Sequence, residues 1–414
     1  MSRAQATRAR AAAGFVRCAA GAGIACVAAL STPAFALDDE RLSVTAGEQF
    51  TRDDNVFRIA PSIAPPGGGG DTYRTTSAGL NLDVPVGAQR FVGNLTLNSQ
   101  RFDRFDVLDL DGHDGSVRWL WNLGRELDGV ASYSDRLALA SLANVQSGVQ
   151  TATPNVLSTR ETKLETTYRP AANWRVLAGW RGTDYSNGAI EYRISDANVD
   201  SVEAQLQYVT RAGDGVGLAV RATDGRLPNR QVVGTTLVDN SYRENTVAIV
   251  VDWTVTGSSR VAARAGHLER SYDQIPQRGY VGPMYDARYE WHPGPRIGFQ
   301  VTATRGLSEH EEVQVGYVVA RGVSGSGSFA FSERLSVALE TGKAQRTYGG
   351  DAAVLFAGVP PTSEHVVLRT ATISYRPVAR VQLAFGLHQV LRSSTLQYSS
   401  YDASAATIGA RVTF

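Results

Sequence analysis

Cysteine, long apolar runs and an excess of one charge are all missing from this sequence. Its 414 residues include only 2 Cys, and 41 Lys+Arg almost balance 40 Asp+Glu. So few cysteines exclude a disulfide scaffold, and a formal charge of +1 gives no general attraction to nucleic acid. No apolar run reaches the ~20 residues of a membrane-spanning helix. What is present, 43% hydrophobic residues with 41 Gly, is typical of a large folded protein.

The first 36 residues have the features of a secretory signal peptide. Several arginines precede the uncharged run from Cys18 to Leu30, and a small-residue cleavage site ends at Ala36. Cleavage there removes both cysteines and leaves residues 37–414 as one exported domain. Disulfides, thiolate metal sites and cysteine nucleophiles are therefore excluded from that domain.

Alternation with period two runs through the rest of the chain. In one segment Val247, Ile249, Val251 and Trp253 are interleaved with smaller or polar residues, and the segment 408–414 repeats the pattern. This is the period of a β-strand with one apolar face and one wetter face. Two folds fit it: a soluble β-sandwich or propeller whose apolar faces form a core, and a barrel whose apolar faces contact lipid.

The connections between these segments fall into two classes that alternate along the chain. Short, turn-like connections lie at 86–90, 123–127, 169–173, 211–215, 256–259, 293–295, 332–334 and 376–380. Longer, mostly polar connections lie at 58–72, 104–115, 140–155, 184–199, 227–240, 272–282, 305–312, 344–365 and 393–403. Short turns at one end and long loops at the other are typical of an outer-membrane barrel.

The aromatic residues favour the same fold. Nine of them lie within a few residues of the short turns: Trp119, Trp121, Tyr168, Trp174, Tyr208, Trp253, Tyr289, Trp291 and Tyr375. An interfacial girdle collects such rings, whereas a soluble core scatters them; the alternative is that they staple hairpin ends in a soluble sheet. The chain also ends on an amphipathic segment that finishes at Phe414, as a closing strand would.

We therefore predict an all-β fold: a transmembrane antiparallel up-and-down β-barrel of about 18 strands, within a range of 16 to 20, in the bacterial outer membrane. Two places depart from the pattern. The segment 313–331 is too long for one crossing, and Arg369 shares a face with Ile373 and Tyr375. Strand extension above the membrane, or a bulge, would explain both.

If the apolar faces contact lipid, the interleaved polar side chains point into the lumen. The candidates for the lumen wall are Arg118, Arg175, Arg181, Glu203, Gln205, Gln207, Arg221, Asp252, Arg264, Asp286, Arg288, Glu290, Glu340 and Arg411. Both signs of charge occur, so no single-sign field is expected. Cross-strand charge ladders account for most of them, and a polar conduit is the functional alternative.

Catalytic and metal-binding patterns are mostly absent. The histidines are far apart, and His310-Glu311-Glu312 lacks the second His of a zincin motif. The runs 322–328 and 67–70 match neither a nucleophile elbow nor a phosphate-binding loop. Asp106, Asp109, Asp111 and Asp114 miss the EF-hand spacing and are expected to form an acidic turn. We expect no cofactor, no metal and no enzymatic activity, although loop His and Asp residues of a barrel hydrolase could converge in space.

The first segment carries the motif Arg52, Asp53, Asp54, Asn55, Phe57 and Arg58. It resembles the opening motif of the exopolysaccharide-biosynthesis outer-membrane proteins called EpsL, associated with exosortase B loci, within the β-barrel porin type 2 superfamily. The resemblance to this family continues at 101–109, 119–121 and 133–136 and in the repeated Tyr-Arg-Pro turns at 168–170 and 375–377. The family offers no catalytic residues, and an Asx-type turn leaving strand one is our interpretation of Asp53 to Asn55.

The resemblance implies an outer-membrane component of extracellular polysaccharide export that acts as conduit or docking element for the polymer. Its partners would be outer-membrane lipid, the extracellular polysaccharide, and periplasmic or inner-membrane export components, with no nucleic acid. A general porin for small polar solutes is the first alternative, and an outer-membrane barrel hydrolase is the second.

Overall fold

The alternating segments form long antiparallel strands. The computed structural model describes residues 41–140, 154–233, 235–308, 317–349, 363–395 and 399–414. The first nine strands are β1 (Leu42–Asp53), β2 (Asp71–Val86), β3 (Gln89–Phe102), β4 (Leu110–Leu123), β5 (Leu127–Leu139), β6 (Val156–Ala171), β7 (Trp174–Asn187), β8 (Ala197–Val209) and β9 (Gly215–Arg226). The signal-peptide prediction for residues 1–36 lies outside the described residues.

A short hairpin and nine further strands follow. The hairpin is β10 (Gln231–Val233) with β11 (Thr236–Val238), and the other strands are β12 (Tyr242–Thr256), β13 (Ser259–Tyr272), β14 (Tyr280–Gly294), β15 (Ile297–Leu307), β16 (Tyr317–Ala330), β17 (Leu335–Gly349), β18 (Ser363–Val378), β19 (Val381–Ser394) and β20 (Tyr401–Thr413). Short 3-10 helices lie in the connections at Pro61–Ile63, Asp106–Leu108, Ile190–Ser195 and Pro276–Arg278. Among the described residues, no helix is long and apolar enough to cross a membrane.

Every strand except β10 and β11 joins one closed antiparallel sheet. In the described residues this sheet has 18 strands, each paired with its neighbours in chain order. Strand β1 closes the ring by pairing with β20 from Thr45↔Thr413 to Asp53↔Ala405. Next to the Thr45↔Thr413 end of this β1–β20 seam, the Val44 N–H donates to the Phe414 carbonyl at 3.1 Å and the Phe414 N–H donates to the Val44 carbonyl at 2.8 Å. The predicted strand number and topology are confirmed.

Turn chemistry accounts for the short connections at one end. Gly87 and Gly124 have φ values of +60° and +69°, a left-handed conformation that glycine adopts without a steric penalty. All eight predicted short connections are found between paired strands. The long connections are at the opposite end, but several are shorter than predicted: β4 already begins at Leu110, and β7 continues to Asn187. Backbone pairing continues there beyond the apolar stretch, because ladder hydrogen bonds do not require apolar side chains.

Large apolar side chains lie mainly on the outside rather than in a core. Ile249 is 55% exposed and Leu164 is 49% exposed, and exposed large hydrophobic residues outnumber buried ones. A soluble sandwich would bury these faces between two sheets, so the closed sheet with an apolar exterior excludes that alternative. Lipid is the environment in which such an exterior is stable.

The predicted aromatic girdle is present. The rings of Phe91 and Trp119 stack at 6.2 Å between centroids, and those of Trp291 and Phe299 at 5.6 Å, all near the short turns. The Trp119 indole N–H also donates to Gln89 at 3.0 Å. Trp180 is an exception, because it lies six residues along β7 from the girdle residue Trp174.

The two departures from the pattern have different outcomes. Strand β16 pairs without interruption with β17 from Tyr317 to Ala330 and with β15 from Val319 to Phe329, and residues 313–316 of the long segment lie outside the described residues. Arg369 does share the exposed face of β18 with Ile373 and Tyr375, and no bulge occurs at Arg369. Of the two explanations offered for Arg369, the bulge is wrong.

Candidate functional site on the inward face of the barrel

The inward face of the sheet carries all fourteen residues predicted to line the lumen. They alternate along their strands with the exposed apolar residues, as Glu203 and Gln205 alternate with Val202 and Leu206. Arg264 on β13 reaches Glu203 on β8 although β9 and β12 lie between these strands. Only the concave side of a curved sheet brings side chains of such distant strands together. Their role in transport remains a prediction.

Glu203 is the centre of the tightest charged cluster on this face. Arg221 donates from Nε to Glu203 Oε2 at 2.8 Å, and Arg264 donates from Nη1 to the same oxygen at 3.1 Å. A second nitrogen of each guanidinium also contacts the carboxylate. One carboxylate shared by two guanidinium groups leaves the cluster with a net positive charge.

Further ion pairs extend this charged wall over β6 to β14. Arg181 lies 3.5 Å from Glu161, and Arg260 donates to both carboxylate oxygens of Asp252 at 2.7 and 2.6 Å. Arg288 lies 3.8 Å from Glu290 on its own strand. Lys163 forms another ion pair with Glu165 at 2.7 Å. Arg175 donates a hydrogen bond to the neutral side chain of Gln207 at 3.5 Å.

Strands β15 to β20 carry several small and neutral polar side chains on their inward faces. Inward positions of β15 to β20 include Gln300, Thr302, Ser324, Ser326, Thr370 and Thr407. Glu340, His388 and Arg411 are the charged or titratable exceptions most evident from the sequence, and Thr370 Oγ1 lies 3.0 Å from His388 Nδ1. The inward face therefore combines charged side chains, which include the Asp83–Arg90 pair on β2 and β3 and the Glu364–Arg392 pair on β18 and β19, with hydroxyl and amide groups.

The opening motif forms a folded network at the loop end of the closure seam. The Asn55 N–H donates to Asp53 Oδ1 at 2.9 Å, so the predicted Asx turn is present. The Asn55 amide nitrogen donates to the carbonyls of Ile59 at 2.8 Å and Asp402 at 3.2 Å. The Asp54 N–H donates to the Ser404 carbonyl at 3.1 Å, and the Ser404 N–H donates to Asp54 Oδ1 at 2.7 Å. The motif thus extends the β1–β20 seam into the loop.

Arg58 anchors this network from a constrained backbone. Its φ of +55° is unusual for a residue with a Cβ, and its guanidinium donates to Asp53 Oδ1 and Oδ2 at 2.8 and 2.7 Å. Burial lowers the pKa of Arg58, but the hydrogen bonds and charge of Asp53 outweigh burial and raise that pKa above its usual value. Phe57 packs edge-on against Phe105 at 4.6 Å. Arg52 points outward and donates to Thr72 at 3.1 Å.

Loops fold over the inward face at the same end of the barrel. Ala197, Leu227, Tyr242 and Tyr272 form a buried cluster, against which Ile194 of the nearest 3-10 helix packs. Arg278 is 2% exposed and donates to Gln231 Oε1 at 3.0 Å and to Asn240 Oδ1, which holds the β10–β11 hairpin. The sequence alone did not predict these rim residues, although tyrosines on the polar faces of β12 and β13 were an available signal.

The residues considered for catalysis or metal binding do not converge where the structure describes them. His113, His267, His292, His365 and His388 lie on five different strands, β4, β13, β14, β18 and β19. The described ranges contain no group of three or more His, Cys, Asp or Glu residues placed to hold a metal ion. The motif His310-Glu311-Glu312 lies outside the described residues.

The acidic turn uses its carboxylates for local contacts. Asp109 accepts a hydrogen bond from the Phe102 N–H at 2.8 Å, and Asp111 accepts one from Arg101 at 2.7 Å. Asp114 lies on the opposite face of β4, where Arg136 is 3.8 Å away. Carboxylates that point to different faces of one strand do not form a calcium site.

Similarity to known proteins is found with one family model and with several solved structures. Residues 252–414 match the family model described as Putative beta-barrel porin 2. Among solved structures, Pseudomonas aeruginosa OccK2 (OpdF) in complex with glucuronate is 11% identical with a TM-score of 0.46, covering 90% of this chain and 98% of that chain. The Pseudomonas aeruginosa outer-membrane protein OpdK is 8% identical with a TM-score of 0.44, covering 90% and 99%. A comparison with curated proteins finds no match.

The closed sheet, its apolar exterior and its polar interior together define the molecule. The chain is a closed antiparallel β-barrel with short turns at one end and long loops at the other, an arrangement typical of outer-membrane barrels.

Proposed function

We propose that this barrel is a diffusion pore for small polar solutes. The observation that supports the proposal is the closed ring of 18 strands with a polar inward face. A barrel of 8 strands is filled by its own side chains, whereas barrels of 16 to 18 strands leave an aqueous channel. Solvated guanidinium, carboxylate, amide and hydroxyl groups exchange hydrogen bonds with a polar solute at little cost.

The loop end sets the expected size limit of the pore. The buried cluster around Tyr242 and the network around Arg58 hold loop residues against the inner rim. Loops fixed in this way narrow the mouth relative to the barrel below it. We therefore expect passage of monosaccharides and exclusion of large oligosaccharides.

Osmotic swelling of proteoliposomes with sugars of increasing size tests this proposal. The expected result is rapid swelling with a monosaccharide and a steady decrease in rate toward larger oligosaccharides. Vesicles that contain heat-denatured protein serve as the control for lipid leakage. Failure to pass even a monosaccharide, with the barrel shown to be folded by its electrophoretic mobility, would contradict the pore.

Polysaccharide export, which the resemblance to the EpsL proteins implies, has weaker structural support. The opening motif that carries the resemblance makes contacts within the chain, through Asp53, Asn55 and Arg58. A motif used for barrel closure does not indicate a polymer-binding role. Loss of surface polysaccharide on deletion of the gene would favour export, and unchanged polymer would favour the small-solute pore.

A further inference from the structure

The outer face of the barrel carries a row of four cationic side chains on consecutive strands. They are Arg305 on β15, Arg321 on β16, Lys343 on β17 and Arg369 on β18. All four share their strand faces with exposed apolar residues, among them Val301, Val323, Leu339 and Ile373. We refer to these four residues as the outer basic row.

The outer basic row lies on the loop side of the aromatic girdle. Arg305 is six residues along β15 from Phe299, Arg321 is eight from Phe329, and Arg369 is six from Tyr375. At ~3.3 Å per residue and a tilt of 35–45°, this places the Cα atoms roughly 15–20 Å above the girdle. The apolar band of such barrels is about 25 Å tall, so these long side chains can reach the headgroup layer at the loop end.

Neighbouring side chains do not neutralise the row. Arg305 and Arg321 are directly opposite each other in the β15–β16 register, an arrangement that is destabilising for like charges. Arg321 Nε donates to Gln345 Oε1 at 2.8 Å, and Arg369 donates to Gln389 Oε1 at 3.3 Å. Both acceptors are neutral amides. Within the part of the chain that the structure describes, none of the four cations forms an ion pair within 4.0 Å.

Five other outward arginines have acidic partners, whereas outward Arg52 on β1 donates to Thr72. Arg74 lies 3.3 Å from Glu48, Arg101 lies 2.7 Å from Asp111, and Arg160 lies 3.5 Å from Asp135. Arg226 pairs with Asp224 at 3.2 Å, and Arg243 pairs with Asp273 at 3.4 Å. Within the described ranges, the outer basic row therefore differs from these five positions in having no acidic side chain within 4.0 Å.

We propose that the outer basic row binds the phosphate groups of an anionic glycolipid in the leaflet at the loop end. The chemistry requires an anion that lies outside the barrel, at the upper edge of the apolar band. A lipid phosphate lies there, and its acyl chains contact the apolar residues below the row. Four adjacent strands span about 15 Å, enough for two phosphate groups on one headgroup. Guanidinium groups bind phosphate in a bidentate manner.

The test measures binding of lipid A with two phosphate groups to the full barrel in uncharged detergent by native mass spectrometry. The row variant is Arg305→Gln, Arg321→Gln, Lys343→Gln and Arg369→Gln together. The matched control is Arg74→Gln, Arg101→Gln, Arg160→Gln and Arg226→Gln together. We expect at least tenfold weaker binding for the row variant, at most a twofold change for the control, and weaker binding at high salt.

A conservative variant separates charge from structure. Arg305→Lys, Arg321→Lys and Arg369→Lys together keep the charge but lose the bidentate geometry, so this variant should bind more tightly than the row variant and less tightly than the wild type. Equal binding by the row variant and the wild type would overturn the proposal, as would equal binding of dephosphorylated lipid A. Displacement of the lipid by millimolar inorganic phosphate would show a site for a soluble anion instead. Sugar-induced swelling of all variants should be unchanged, so this result is independent of the pore proposal.

Discussion

At the scale of single residues, the loop that follows β1 depends on one buried ion pair. Asp53 is 3% exposed and accepts hydrogen bonds from Arg58 and from the Asn55 N–H. Removal of the guanidinium beside a buried carboxylate destabilises the protein more than removal of one beside an exposed carboxylate. The buried carboxylate then remains charged and poorly solvated. The sequence predicted the Asx turn at this place, but nothing in it showed that Arg58 returns to Asp53 from a left-handed backbone.

Arg58→Ala should therefore lower the free energy of unfolding by about 3 kcal/mol. Urea unfolding of the barrel in lipid vesicles, followed by tryptophan fluorescence, measures the change. Arg52→Ala is the matched control, because Arg52 is exposed and donates only to Thr72; it should cost less than about 1 kcal/mol. Equal losses for the two variants would mean that the Asp53–Arg58 pair does not stabilise the closure seam.

At the scale of a strand, alternation assigns each side chain to lipid or to lumen. Ile249 on β12 is exposed on the outside, four residues from the girdle residue Trp253, whereas Gln205 on β8 faces inward. Period two in the sequence was enough to predict these faces, because a one-residue shift of register would expose every polar residue to lipid. It was not enough to locate the strand ends, since pairing continues above the apolar band.

Ile249→Arg should cost roughly 2–4 kcal/mol, because the new charge lies near the middle of the bilayer. Gln205→Arg places the same side chain in the lumen and should change the stability by less than ~0.5 kcal/mol. Reversible folding into vesicles at a series of urea concentrations measures both changes. If the two substitutions cost the same, the assignment of inner and outer faces is wrong.

At the scale of the whole molecule, the charged wall determines which ions the lumen favours. Glu203 holds Arg221 and Arg264 together although their strands are not adjacent. The sequence identified all three as inward residues, but only the curvature of the closed sheet brings them into contact. Removal of the shared carboxylate leaves two guanidinium groups without their acid.

Glu203→Gln should accordingly shift the pore toward anions. The reversal potential across a planar bilayer under a potassium chloride gradient measures this selectivity. Asp224→Asn removes one carboxylate on the outside of the neighbouring strand β9 and should leave the reversal potential unchanged. A shift of the same size in both variants would show that the Glu203 cluster does not line the conducting path.

The sequence by itself determined the number of strands, their faces and the ends at which short turns and long loops lie. Period two, turn glycines and girdle aromatics are local signals, and each is set by the chemistry of residues close together in the chain. The tertiary structure alone decided which side chains meet across the lumen, how Arg58 closes the seam and which outward cations lie together on neighbouring strands. Those features depend on barrel closure and strand register, which bring together residues that are far apart in sequence.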